Sequence, residues 1–99
     1  MSAVAMPLAL FHIAAKPRVE RRQNRQTRAW FKVWTVERVN DDALPISDSL
    51  AGYETSNPWI AAICDQAFER GKAIEVEWRD GPYFRIICKI REVEKVSAA

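Results

Sequence analysis

One histidine, two cysteines and three glycines occur in the 99 residues, and each scarcity removes a class of chemistry. His12 is the single imidazole, so a cysteine–histidine nucleophile pair has only that residue to draw on. It stands in a weakly patterned N-terminal stretch and reads as a surface or partly packed residue. Gly52, Gly71 and Gly81 are too scattered for a phosphate-cradling loop or a dinucleotide fingerprint. Cys64 and Cys88 lack metal-type spacing, and secreted domains of this size usually carry more cysteines as staples. Both are therefore expected to be buried, reduced thiols, and a cytoplasmic location follows. No apolar run is long enough to span a bilayer. The opening MSAVAMPLALFHIAA lacks a charged start and is broken by Pro7 and His12, unlike a signal peptide. Paired carboxylates are equally poor candidates for catalysis. Asp41 and Asp42 read as a turn, while Glu75 and Glu77 share a strand face with Arg85, Lys89 and Arg91 as expected neighbours, a solvated charge ladder. No enzyme, metal or cofactor is expected.

What is present begins with size: 99 residues suffice for one hydrophobic core and not for two. Four tryptophans supply large rigid surfaces for that core or for stacking. The net charge of +2 conceals an asymmetry. Residues 1–40 carry eight Lys or Arg against two acids, and residues 41–99 carry seven against eleven. Within the basic half, residues 16–28 (KPRVERRQNRQTR) hold six cations and one acid with Val19 as the one aliphatic side chain beyond proline. Such a stretch cannot by itself offset its ordering entropy, so residues 1–27 are expected to form a leader and basic arm, partly disordered. Residues 1–15 within it could add an edge strand or stay loose. Residues 28–96 are expected to form the single domain.

Residues 28–39 (RAWFKVWTVERV) are dense in aromatic and β-branched side chains and predict a long strand. Ala29, Phe31, Val33, Thr35 and Val39 make the cleaner core face, leaving Trp30, Lys32, Trp34, Val36 and Arg38 opposite. Residues 40–42 predict a turn, and 44–53, with Pro45 and Gly52, an irregular region or short edge strands. Asn57 and Pro58 are a helix start: the amide oxygen caps, and proline lacks only an N–H that would be orphaned there. Ile60, Ile63, Cys64, Ala67 and Phe68 follow at helical spacing until Gly71 stops the helix. Ile74, Val76 and Trp78 then alternate with charges, as do Phe84, Ile86, Cys88 and Ile90 after the turn at Asp80, Gly81 and Pro82. A three-residue loop would oppose Trp78 to Phe84 and Val76 to Ile86, keeping charge off the apolar face. Ile63, Phe68, Val76, Trp78, Ile86 and Ile90 are the expected shared core.

Two features offer a binding chemistry. Arg21, Arg22, Arg25 and Arg28, with Lys16 and Arg18 beside them, suit phosphates, because guanidinium is bidentate, always charged and gains from counterion release. Trp30 and Trp34, interleaved with Lys32 and Arg38, match the way single strands are held, by base stacking along a cationic track. Tyr83 is a further stacking candidate. Solvated charge and covered tryptophans are the plainer alternatives.

The order strand, irregular strand region, helix, hairpin, with residues 30–39 as the first strand, resembles small OB-fold single-strand-binding and replication-accessory domains. Residues 57–93 (NPWIAAICDQAFERGKAIEVEWRDGPYFRIICKIREV), a helix ending in Gly-Lys before a hairpin, look like their last half. The resemblance implies a β-rich α+β fold, a five-stranded barrel with one helix between the third and fourth strands. It also implies binding of single-stranded nucleic acid in a replication or recombination accessory role. The rival expectation is a small protein-interaction module, an inhibitor, adaptor or phage-type accessory, using the same aromatics on a protein partner or in a homodimer. The acidic 41–99 half favours that rival.

Overall fold

The computed structural model describes residues 7–39, 52–82 and 84–93. Six strands and one helix follow one another: β1 (Leu8–His12), β2 (Arg18–Gln23), β3 (Trp30–Val36), β4 (Tyr53–Thr55), α1 (Pro58–Arg70), β5 (Ala73–Asp80) and β6 (Arg85–Val93). The strands form one mixed sheet in the order β1-β5-β6-β4-β3-β2. The β-rich α+β class is therefore as expected. The closed five-stranded barrel is not: β1 and β2, the two ends of the order, do not pair with each other. The expected turn at 40–42, the 44–51 stretch, Tyr83 and residues 94–96 lie outside the described residues.

The extra strands come from the leader and basic arm: β1 takes the edge-strand alternative open to residues 1–15, and β2 orders a stretch expected to be an exposed arm. β1 pairs antiparallel with β5, and its alternation buries Ala9 and Phe11, continued by Ile13 beyond it. β2 lacks an apolar face of its own and is ordered by its ladder with β3, in which all six residues from Arg18 to Gln23 have partners. Asn24 makes that hairpin possible. Its side-chain oxygen accepts from the Gln26 and Thr27 N–H groups, and Arg28 turns the chain in the left-handed region at φ 61°. A sheet-edge strand rich in arginine is also a poor template for aggregation.

Tyr53 ties the core together. Its ring stacks on Phe11 at 4.7 Å and meets Trp78 edge-on at 6.4 Å, joining β1, β4 and β5. Val36, Ile74, Val76, Ile87, Ile60, Cys64 and Ala67 complete the cluster. The helix matches its sequence signals. Asn57 accepts from the Trp59 N–H, and Gly71, at φ 66°, donates to the Ala67 and Phe68 carbonyls. Its buried stripe is Ile60, Ala61, Cys64 and Ala67, whereas Ile63 is half-buried and Phe68 is 37% exposed.

Two registers differ from expectation. In the C-terminal hairpin, Trp78 faces Ile87, Val76 faces Ile90 and Asp80 faces Arg85, with a one-residue shift between Glu77 and Trp78. The shift leaves Cys88 without a partner, as in a β-bulge, and reverses side-chain parity on β6. Hence Ile87 is buried in place of Ile86, and Ile90 packs against the cluster as expected. In β3, Val36 joins the core and Phe31 is exposed, the reverse of the expected burial. The hairpin of β2 and β3 reaches beyond the core, so only the C-terminal half of β3 is covered. Val33 is buried on the other side of the sheet, outside the main cluster.

Truncating Ile87 to Ala should cost about 2–5 kcal/mol in denaturant unfolding, and Ile86 to Ala markedly less; equal losses would restore the simple alternation. Both cysteines are free, and burial, with Asp65 nearby, pushes the Cys64 thiol up to about 12 from 9.0. Native protein at pH 8 should therefore resist alkylation at Cys64 until it unfolds, as read by mass spectrometry. A folded value above the unfolded one means this thiol leaves stability unchanged below about pH 9 and lowers it as pH rises toward 12.

Candidate functional site

The hairpin of β2 and β3 forms one wall of a groove of about 690 Å³. Arg21, Arg25, Trp30 and Phe31 line it from the hairpin side, Val33 and Thr55 form buried floor, and Arg79, Pro82 and Ile86 stand across from them. Clefts of about 300–1,000 Å³ are the usual size for ligand sites. Four arginines and one glutamate line this one, so it is cationic.

The glutamate is already occupied. Arg22 on β2 and Glu54 on β4 lie on the same sheet face, separated by β3, and Arg22 Nη1 approaches Glu54 Oε2 to 2.6 Å. The approach is close without hydrogen-bond geometry. The pair lies diagonal to Val33 on that face and neutralises the one acid of the groove. Arg22 also sits over Phe84, 6.0 Å from the ring centre.

Elsewhere most of the described acids are engaged too, Glu69 and Asp80 excepted. Glu75 meets Arg91 at 2.8 Å, Glu77 meets Lys89, Glu92 meets Arg70, and Asp65 meets Lys16. The Arg91 hydrogen bond holds the Glu75 carboxyl below its ordinary range. Exposed pairs of this kind add little stability, but they cancel local charge. Arg21, Arg25, Arg28, Lys32, Arg38 and Arg79 have no acidic partner among the described residues. Arg21 and Lys32 are directly opposed in the ladder, and the Arg21 guanidinium lies 5.7 Å from the centre of the Trp30 ring.

No family model, curated protein or solved structure matches this chain. Of the eight residues expected to bind, Arg21, Arg22, Arg25 and Trp30 meet at the groove. Trp30 is 58% exposed. Arg28 lies in the hairpin loop, Lys32 is exposed on β3, and Arg38 bridges Ile13 through its backbone. Trp34 is half-buried between the partners Val19 and Thr55, and so is a packing residue more than an open platform. Phe31 and Arg79 were not expected at the site. Arg79 carries a signal, since it ends an alternating run just before a glycine–proline turn, whereas Phe31 shares the face of buried Val33 as expected but is left uncovered where the hairpin runs past the core. No group of three or more His, Cys, Asp or Glu gathers as a metal site among the described residues. No described helix is long and apolar enough to cross a membrane.

Removing one partner of the Arg22–Glu54 pair strands a buried charge. Arg22→Met should cost about 2 kcal/mol, and adding Glu54→Met should recover much of it. Denaturant unfolding of the single and double variants checks this; additive losses would show that the pair is not coupled.

Proposed function

We propose that this chain is a sequence-tolerant binding module for single-stranded nucleic acid, in a replication or recombination accessory role. The observation that carries the reading is the distribution of unmatched charge. Among the described residues, the cations left without an acid are Arg21, Arg25, Arg28 and Lys32 on the β2–β3 hairpin, Arg38 just after it, and Arg79 across the groove. Like charges directly opposed across a ladder are destabilising, and a phosphate near Arg21 and Lys32 relieves that repulsion. Trp30 adds an exposed ring to the face of Arg21 and Lys32, and Phe31 a second ring on the other face of the strand, both lining the groove. Stacking on such rings is tolerant of base identity. The acidic half opposes this reading less than its count of acids implies, because Glu75, Glu77 and Glu92 are matched by cations.

The connectivity supports an OB-like arrangement. The chain leaving β1 bridges back to the stretch after β3, with Ala14 N–H donating to the Glu37 carbonyl and Val39 N–H to that of His12. If β1 and β2 are two arms of one bent first strand, the order β2-β3-β4-β6-β5 leads back to β1. The helix then falls between the third and fourth strands. Oligonucleotides bind OB-folds on strands two and three and the loops joining strands 1–2 and 4–5. Their counterparts here are β3, β4, residues 24–29 and the turn at Gly81 and Pro82, which border the groove.

Replacing Arg21, Arg25 and Lys32 with Ala should weaken oligonucleotide binding similarly for all sequences. It should flatten the log–log salt slope by about 0.7 per lost phosphate contact. Trp30→Ala should cost roughly 1–3 kcal/mol of binding and leave the slope nearly unchanged. Fluorescence titrations at several salt concentrations separate the two. Wild-type protein without salt-sensitive binding at micromolar concentration would overturn the proposal and give the surface to an acidic protein partner.

A further inference from the structure

Trp59 is 79% exposed, more than any other large hydrophobic residue described. The next two positions, Ile60 and Ala61, are buried, so α1 is well seated while this ring stays in water. Its backbone is held firmly. Asn57 N–H donates to Thr55 Oγ1 at 3.0 Å, and Asn57 Oδ1 accepts from the Trp59 N–H at 2.9 Å. Thr55 and Ser56 belong to the groove lining. Trp59 therefore follows the groove by three residues, and its Cα lies no more than about 11 Å from that of Ser56.

The stretch between them carries no acid. Nor does the first turn of α1, so the positive end of the helix dipole is uncompensated there. A strand leaving the groove past Ser56 would meet a favourable field and then a free indole face.

We infer that Trp59 is a second stacking platform for the same strand, extending the site from the groove onto the first turn of α1. This rests on the single-strand reading above. Trp30 holds a base from the hairpin side, and Trp59 holds one beyond the β4 side, so the full site is longer than the groove. Short ligands use the groove alone, and longer ones gain the Trp59 contact.

The test is an anisotropy titration of the full chain with labelled oligothymidylates of increasing length at fixed salt. Trp59→Ala should leave affinity for the shortest bound oligomers unchanged and weaken the longer ones about tenfold, the scale of one lost stacked base. Trp59→Phe should retain most of the gain with length, and the thermal melt of both variants should match wild type. Trp30→Ala, in contrast, should weaken every length. Trp59→Ala binding all lengths like wild type would overturn the inference, assign the ring to another surface such as a protein contact, and leave the single-strand reading intact. No binding by the wild-type chain at any length would remove both.

Discussion

β4 contains three residues, Tyr53, Glu54 and Thr55, and all three are buried. It pairs antiparallel with β3 on one side and parallel with β6 on the other. Without it, the β2–β3 hairpin would be joined to the β1-β5-β6 strands, among the described residues, mainly through the bridge of Ile13 to Arg38. Three residues of ladder are a weak join, and the side chains strengthen it. Tyr53 packs with Phe11 and Trp78, Glu54 reaches Arg22, and Thr55 supports the helix cap through Asn57.

The binding surface inherits its shape from the same join. The β2–β3 hairpin is anchored at one end by β4 and extends past the core at the other, which leaves Trp30 and Phe31 in solvent. Gly81 keeps the opposite wall close: a Cβ there would lie 2.5 Å from the Phe84 carbonyl oxygen. Charge then distinguishes the surfaces. On the β5–β6 ladder Glu75, Glu77 and Glu92 are each matched by a cation. The hairpin and groove instead carry Arg21, Arg25, Lys32 and Arg79 with no acidic partner among the described residues.

Elements with strong local chemistry were legible in the sequence. Asn57, Pro58 and Gly71 fixed the helix, and the alternation around Gly81 and Pro82 fixed a hairpin. What was missed depended on pairing. Arg18–Gln23 has no apolar face, so only its ladder with β3 and the Asn24 turn make it a strand. Tyr53–Thr55 is too short to show a period, and its burial comes from neighbours on both sides. The extra residue at Cys88 shifts parity by one, which composition cannot report, and so Ile86 and Ile87 exchanged roles. At the site, the arginines and Trp30 were visible as types in a pattern. Arg79 and the Arg22–Glu54 pair needed distant segments to be brought together.

The central claim is that the hairpin and groove, and not the charge-matched β5–β6 face, receive a single strand of nucleic acid. An amide NMR titration of the labelled protein with a single-stranded oligonucleotide tests it most directly. Shifts should concentrate in residues 19–33, in 54–56 and around Arg79 and Gly81, and should collapse as salt is raised. Shifts centred on Glu75, Glu77, Lys89 and Arg91, or none at all, would contradict the account.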